Sequence, residues 1–430
     1  MKIPEILLIE SEHKPGSLAK ILTVLGEAGL VVEHLVTVRR EQGRTVWEIT
    51  VDMDEAADFG VFDKIDALPN ARVLGKSDRV FNRHRGGKIR VVSSQEIASQ
   101  QILRDLYTPG VARVCLSIQA DPTQVWEYTN LPNTVAIVTD GSAVLGLGNI
   151  GAVAGLPVME GKAALFASLA GISGVPILMD TQDPAEIVAA VTAIAPSFGA
   201  IQLEDIGAPA CFEIESQLVA RLDKPVLHDD QHGTAVVALA AVRNAGRLAG
   251  QLLSDSVVGQ VGLGAAGYGI ARLLRARGTR TILGADVDPA AVSRFEALGG
   301  QAADLARVMA EADIVIATTG VRGLIKPEMV RPGQVVLALT NPDPEIEPRD
   351  ARAAGASFAA DGKSINNVLG FPGLFRGALD ARATRFTDAM LLSAAEAIAD
   401  QAGDGELVPD ALDPAVHLAV AAAVRAAAEA

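Results

Sequence analysis

Through Leu74 the apolar positions of this chain keep the periods of half-buried elements; beyond it they bunch into short, mostly apolar runs separated by helical stretches. Ile6–Ile9 reads as a strand. Pro15-Gly16-Ser17 then opens an amphipathic helix carrying Leu18, Ile21, Leu22 and Leu25, which ends near Gly29. Val31–Arg39 is a second strand. In a third, Trp47, Ile49 and Val51 alternate with Glu48, Thr50 and Asp52, the period of two that turns one face to a core. A helix over Ala56–Leu68 and a strand at Ala71–Leu74 complete β-α-β-β-α-β, the ferredoxin-like α+β order. Asp78–Lys88, with Arg79, Arg83 and Arg85 beside Gly86-Gly87, reads as a linker.

Past the linker a helix from Ser94 leads to Leu106-Tyr107, and the apolar runs follow: Thr134–Val138, Ala200–Leu203, Pro225–Leu227, Val257–Val261, Thr281–Ala285, Ile314–Ala317 and Val335–Leu339. Such runs suit parallel strands covered on both faces. Helices are expected over Ala163–Ala170 and Thr234–Ala249, with another ending at Arg277 before Gly278. The tail Thr387–Ala430 is alanine-rich and helical, broken at Gly403–Pro414, and is expected to pack back on the domain that holds the Ala200–Leu203 and Pro225–Leu227 runs.

Two of the runs stop at acid pairs, Glu204-Asp205 and Asp229-Asp230. In open α/β sheets ligands bind at the carboxyl ends of strands. Three or four carboxylates gathered there repel one another unless a hard divalent cation neutralises them, and oxygen ligands favour Mg²⁺ or Mn²⁺ over Zn²⁺. Solvated acids at strand ends are the plainer alternative for either pair alone. His232, just after the second pair, is a ligand, a support behind the ligands or the start of a helix.

A dinucleotide signature lies further on. The run Val257–Val261 feeds Gly262-Leu263-Gly264-Ala265-Ala266-Gly267, then a helix, then a strand ending at Asp286. Gly262 allows the tight turn, Gly264 the close approach of a pyrophosphate, and Gly267 close helix packing. Asp286 is placed to accept from a ribose 2′-hydroxyl and to repel a 2′-phosphate, which favours NAD over NADP. Gly146–Gly151 also spells GxGxxG, but no strand-end acid follows at the right distance. Thr318, Thr319 and Asn341 follow two further strands and are expected on the nicotinamide side of the cofactor. Lys162 is expected at the start of the helix Ala163–Ala170, where the helix dipole would lower its pKa as a general base requires.

A chain of 430 residues is expected to form two or three domains. No apolar run reaches the roughly 18 residues a membrane span needs, and Met1–Glu10 lacks a signal-peptide pattern. Two cysteines, Cys115 and Cys211, make no disulfide framework and suit a reducing cytoplasm. A net charge of −15 argues against nucleic acid as a partner.

The segments LEDI…CFEIE and HDDQHGTA resemble the metal-binding segments of the malic enzymes, and the resemblance extends over most of Gln95–Asp380. It implies that Glu204, Asp205 and Asp230 hold the metal, with Asp229 behind them. LYTPGVA resembles the family segment with the catalytic tyrosine, making Tyr107 the acid, and VMEGKA the lysine segment, making Lys162 the base. Asn341 and Asn367 resemble the family's substrate-side asparagines. One departure stands out: Ser142-Ala143-Val144 occupies the turn where larger relatives carry a carboxylate-gripping arginine. The loop His13-Lys14-Pro15-Gly16-Ser17-Leu18 is similar to that of ACT regulatory domains, which implies an amino-acid effector. The implied whole is an ACT-like domain (1–78), a malate and metal domain (79–230 with 368–430) and a Rossmann-type NAD domain (231–367). Its implied activity is NAD- and Mg²⁺- or Mn²⁺-dependent oxidative decarboxylation of (S)-malate to pyruvate and CO₂, in a cytoplasmic homodimer or higher homo-oligomer. A malolactic-type lyase releasing lactate and CO₂ is the alternative. No phosphate acetyltransferase-like module is expected to follow.

Overall fold

The computed structural model describes residues 3–53, 60–77, 79–144, 146–341, 343–363 and 365–430. The chain divides into two compact units, Met1–Lys88 and Ile89–Ala430.

In the first unit, strands β1 (Ile3–Glu12), β2 (Val31–Glu41), β3 (Arg44–Met53) and β4 (Ala71–Lys76) form an antiparallel sheet in the order β2-β3-β1-β4. Leu7, Ile9, Ile49 and Val51 point from one face of that sheet into a core. Helices Ser17–Glu27 and Gly60–Asp66 close it with Ile21, Leu25, Val61 and Ile65. Gly16 enters the first helix through the left-handed region (φ 83°), a conformation that a Cβ would strain. The expected second helix began at Ala56, and 54–59 lie outside the described residues. The stretch read as a linker holds a short helix, Arg79–His84. Arg79 makes a 2.7 Å ion pair with Glu48, whose other oxygen accepts from Ser77 Oγ at 2.9 Å, and this tie orders what composition alone marked as loop.

The second unit contains two parallel sheets. Strands β5 (Thr134–Thr139), β6 (Ser173–Leu178), β7 (Ala200–Leu203) and β8 (Val226–His228) pair in the order β6-β5-β7-β8. Strands β9 (Val257–Val261), β10 (Thr281–Ala285), β11 (Gln301–Ala302), β12 (Ile314–Ala317), β13 (Val335–Ala338) and β14 (Phe358–Asp361) pair as β11-β10-β9-β12-β13-β14. That order reverses at β9, the topological switch point of a doubly wound dinucleotide fold.

The helix Asp229–Ala249 leaves β8 without a loop and is buried along most of its length, Val236, Val237 and Val242 included. Truncating one of these to alanine removes apolar contact and leaves a cavity, at a cost of about 1–3 kcal/mol. The tail packs not only on the helix Phe371–Asp380, within the expected domain, but also on the helix Asp229–Ala249. Gly373 and Gly377, on the helix Phe371–Asp380, leave room for Val420 and Val424 of the helix Pro414–Glu429. Asn244 in turn donates to the carbonyls of Ala399 and Leu407 at 3.0 and 2.9 Å. The helix Ala152–Ala170 is by length and hydropathy sufficient to cross a membrane (19 residues, mean hydropathy 1.3). One face of it is buried, with Met159, Lys162, Ala163 and Phe166, and Phe166 packs edge-on to Phe371 and Phe375 at 4.8 and 5.4 Å between ring centroids.

Candidate active site

Strands β7 and β8 lie side by side with Leu203 opposite His228, so the two acid pairs emerge together at one sheet edge. Glu204, Asp205 and Asp229 are buried and Asp230 half-buried. One oxygen from each of Glu204, Asp205 and Asp230 falls within 4.8 Å of the others. The turn is drawn tight: Asp205 sits at φ 54°, and its backbone N–H donates to Asp230 Oδ2 at 2.9 Å. Asp205 Oδ2 and Asp229 Oδ1 are buried with no protein partner. Burial and the neighbouring Asp230 push the Asp205 carboxyl up to about 7, and burial likewise raises Glu204. Orphaned buried oxygens in an all-carboxylate set are what a hard divalent cation satisfies, so these residues fit Mg²⁺ or Mn²⁺.

Lys162 reaches into the same cluster, with Nζ 2.5 Å from Asp229 Oδ2 and 3.0 Å from Glu204 Oε1, above the Phe371 ring. The expectation for its surroundings was wrong. The helix begins at Ala152, so Lys162 is inside it and the N-terminal dipole does not act on it. Burial alone would lower its pKa, but the charges of Asp229, Glu204 and Asp230 outweigh burial and hold it above the ordinary lysine value. Asn367, from the far end of the chain, donates to the same Asp229 oxygen at 2.7 Å. The structure thus brings Lys162, Glu204, Asp205, Asp229, Asp230 and Asn367 together.

Three supporting residues escaped the motif reading. Gln202, two residues before Glu204 on the same strand face, donates to its Oε2 at 2.6 Å. Glu215 accepts from the His228 backbone N–H at 2.7 Å and bonds His232 Nε2 at 2.9 Å, bracing the turn that carries Asp229 and Asp230. His232 is therefore a support rather than a ligand. Phe371, which underlies Lys162, is the third. Only spacing signals Gln202, and Glu215 stands in the segment Cys211–Glu215 with nothing local to mark it.

At the switch point β9 runs into Gly262, and the helix Ala265–Ala276 starts at once. A Cβ on Gly267 would stand 1.9 Å from the Gly262 carbonyl oxygen, so only glycine fits. Gly264 caps this helix N-terminus, and Ala265 and Ala266 form its first turn, with backbone N–H groups free of intrahelical partners. Asp286, at the end of β10, accepts from Leu263 N–H at 2.6 Å and from Asp288 N–H at 2.8 Å, which fixes its carboxylate beside the glycine turn. Arg294, the first basic residue after it, stacks 5.0 Å over Phe212. Thr318 and Thr319 follow β12, and Asn341 follows β13 with its amide donating to Gly362 O at 2.9 Å. Tyr107 caps the helix Gln100–Leu106 with its side chain 69% exposed. His13, Pro15, Gly16, Ser17 and Leu18 belong to the first unit, where His13 Nδ1 bonds Thr45 Oγ1 at 2.9 Å and Ser17 Oγ accepts from Asn70 at 3.2 Å.

A doubly wound dinucleotide fold joined to an acid cluster that holds a buried lysine defines a class, the metal- and NAD-dependent dehydrogenases. Residues 86–219 match the family model for the malic enzyme N-terminal domain, and residues 286–430 that for the malic enzyme NAD binding domain. Residues 228–324 also match the NAD binding domain of D-isomer specific 2-hydroxyacid dehydrogenases. The chain belongs to the malic enzyme family. It is 53% identical to NAD-dependent malic enzyme 1 of Bacillus subtilis over 98% of this chain and 97% of that protein. It is 43% identical to the bifunctional malic/malolactic enzyme of the same organism, over 80% of this chain and 90% of the relative. Among solved structures it is similar to the NAD-dependent malic enzyme of Thermotoga maritima, with a TM-score of 0.76 at 40% identity, covering 81% of this chain and 99% of that one.

Proposed function

We propose that this chain catalyses the NAD-dependent oxidative decarboxylation of (S)-malate to pyruvate and CO₂. The observation that carries the proposal is the lysine held by Glu204 and Asp229 amid the carboxylates of Asp205 and Asp230. Glu204, Asp205 and Asp230 hold the divalent cation, which when bound supplies a positive charge that polarises the substrate's oxygens and offsets the field that raises Lys162. Lys162 takes the proton of the malate C2 hydroxyl as the C2 hydride leaves for NAD. Asp229, held by both Lys162 and Asn367, orients the lysine. Asn341 and Asn367 contact the substrate side, and Tyr107 returns a proton to C3 after CO₂ departs. Asp286 selects NAD. The malate and metal domain takes 79–230 with 368–430, and the NAD domain 231–367.

The first unit is read as an ACT-like regulatory domain whose loop His13–Leu18 takes a free amino acid. A homodimer accounts for the segment 89–128. Its helices Gln100–Leu106 and Val111–Ala120 bury no residue, while Val91, Val92, Ile97, Leu106 and Leu116 are exposed. A second copy covering them would also enclose Tyr107. Cys115 and Cys211 are unpaired, which fits the cytoplasm.

Product analysis of the Mn²⁺-loaded protein with malate and NAD tests the reading. Pyruvate, CO₂ and NADH in equal amounts are expected. The similarity to a bifunctional malic/malolactic enzyme keeps a lyase as the second reading, and lactate without free NADH would establish it.

A further inference from the structure

The strand-end loops read above as the nicotinamide side are tied together by Glu345, a residue outside every motif. It is fully buried, 0% exposed. Its Oε1 accepts from Thr319 N–H at 2.6 Å, Thr319 Oγ at 2.8 Å and Thr340 Oγ at 2.5 Å, and its Oε2 lies 3.4 Å from Thr340 N. Among the described residues no cation pairs with it. Around this hub the two loops close on each other. Gly320 N–H donates to Thr340 Oγ at 3.0 Å, Gly323 N–H to Pro344 O at 3.1 Å and Ile325 N–H to Glu345 O at 3.0 Å. The first loop is anchored to the glycine turn as well, because Gln260 Nε2 donates to Thr318 Oγ at 2.9 Å and to Gly262 O at 3.1 Å.

A carboxylate buried without a cation is costly, and donors aimed at it offset that cost only if they are held in place. An apolar residue would fill the same space more cheaply. What the carboxylate adds is direction: three of its four hydrogen bonds converge on one oxygen, from two loops on neighbouring strands, and so fix the loop-to-loop distance. We propose that Glu345 is a positioning residue for hydride transfer, setting the Thr318–Thr319 and Thr340–Asn341 loops at the spacing the nicotinamide requires. The proposal rests on the reading of those loops as the nicotinamide side.

The test uses the full chain with Mn²⁺ and compares Glu345→Ala, Glu345→Gln and Asn341→Ala. Two rates are read: malate oxidation with C2-protio and C2-deutero malate, and decarboxylation of added oxaloacetate, which moves no hydride. Glu345→Ala is expected to lower kcat for malate oxidation about 10²-fold, as a displacement of about 1 Å does, while oxaloacetate decarboxylation stays within about twofold. Its deuterium isotope effect on kcat should rise as hydride transfer becomes limiting. Glu345→Gln should show the same split at a smaller size, since its amide oxygen keeps the three Oε1 donors but its NH₂ faces Thr340 N–H. If the alanine variant does not fold, the glutamine variant carries the test on the same split. Equal loss of both rates would overturn the proposal in favour of a general structural role. A Glu345→Ala enzyme at wild-type rate beside an impaired Asn341→Ala overturns the hub and leaves the nicotinamide reading standing. Wild-type malate oxidation in both overturns the reading, and the hub with it.

Discussion

Asp205 should destabilise the metal-free fold, and replacing it with asparagine should show by how much. Its side chain is 3% exposed, and burial with the Asp230 charge raises its carboxyl from 3.8 to about 7. Below pH 4 the group is protonated in both folded and unfolded chains, and it costs nothing. Between there and about pH 7 the folded chain holds a proton that the unfolded chain has lost, so stability falls as pH rises. Above that the carboxylate is ionised in both states and the cost is complete. Each tenfold difference in proton affinity is about 1.4 kcal/mol, so the full cost is roughly 2–4 kcal/mol, the lower figure allowing for its sharing with Asp230. In EDTA at pH 8, urea unfolding should therefore find Asp205→Asn about 2–4 kcal/mol more stable than the wild type. The difference should shrink steadily towards pH 4. Saturating Mn²⁺ should narrow the difference, since binding at about 100 times Kd adds about 2.7 kcal/mol to the wild type and less to a site lacking one ligand. An asparagine variant less stable than the wild type in EDTA at pH 8 would refute the reasoning, because Asp205 would then be held by something other than a missing cation.

Lys162→Ala should lower malate oxidation by about 10²–10⁴-fold, the usual share of a general base, in a protein whose circular dichroism is unchanged. Tyr107→Phe should still decarboxylate oxaloacetate but lose stereospecific deuterium incorporation at C3, read by proton NMR of the pyruvate trapped as lactate. Asp286→Ser should narrow the preference for NAD over NADP in kcat/KM, and a wild type that favours NADP would show that Arg294 leaves Phe212 to read the 2′-phosphate. One or more free amino acids should change kcat or malate affinity through coupling of about 1–3 kcal/mol; a chain lacking 1–78 should stay active and fail to respond.

What was legible in the sequence is what chemistry forces into a short stretch. Gly262 and Gly267 are fixed by a left-handed turn and a close approach that no side chain permits, and the acid pairs stand where apolar strands stop. The alternation at Trp47, Ile49 and Val51 marked the face of the third strand that meets the core. The surroundings of Lys162 were not legible, because Asp229, 67 residues away in sequence, sets its charge. Pro157 and Gly161 suggested a helix start at Ala163, yet both lie inside the helix, where burial of Met159 and Phe166 overrides their low propensity. The strand β6 went unread because Pro176 interrupts its apolar run; β6 is an edge strand, where a missing N–H is tolerated. Glu345 carries no local signal, since its partners come from two separate loops.

If one cation-binding cluster, Glu204, Asp205 and Asp230, serves one lysine for malate oxidation, NADH formation must stop when the cation is withdrawn. The most direct measurement follows NADH at 340 nm with malate and NAD, first in EDTA, then after adding excess Mn²⁺, for the wild type and Asp230→Ala. No NADH is expected in EDTA, with full recovery on adding Mn²⁺ in the wild type and none in the variant. Sustained NADH formation by the wild type in excess EDTA, or by Asp230→Ala at the wild-type rate, would contradict it.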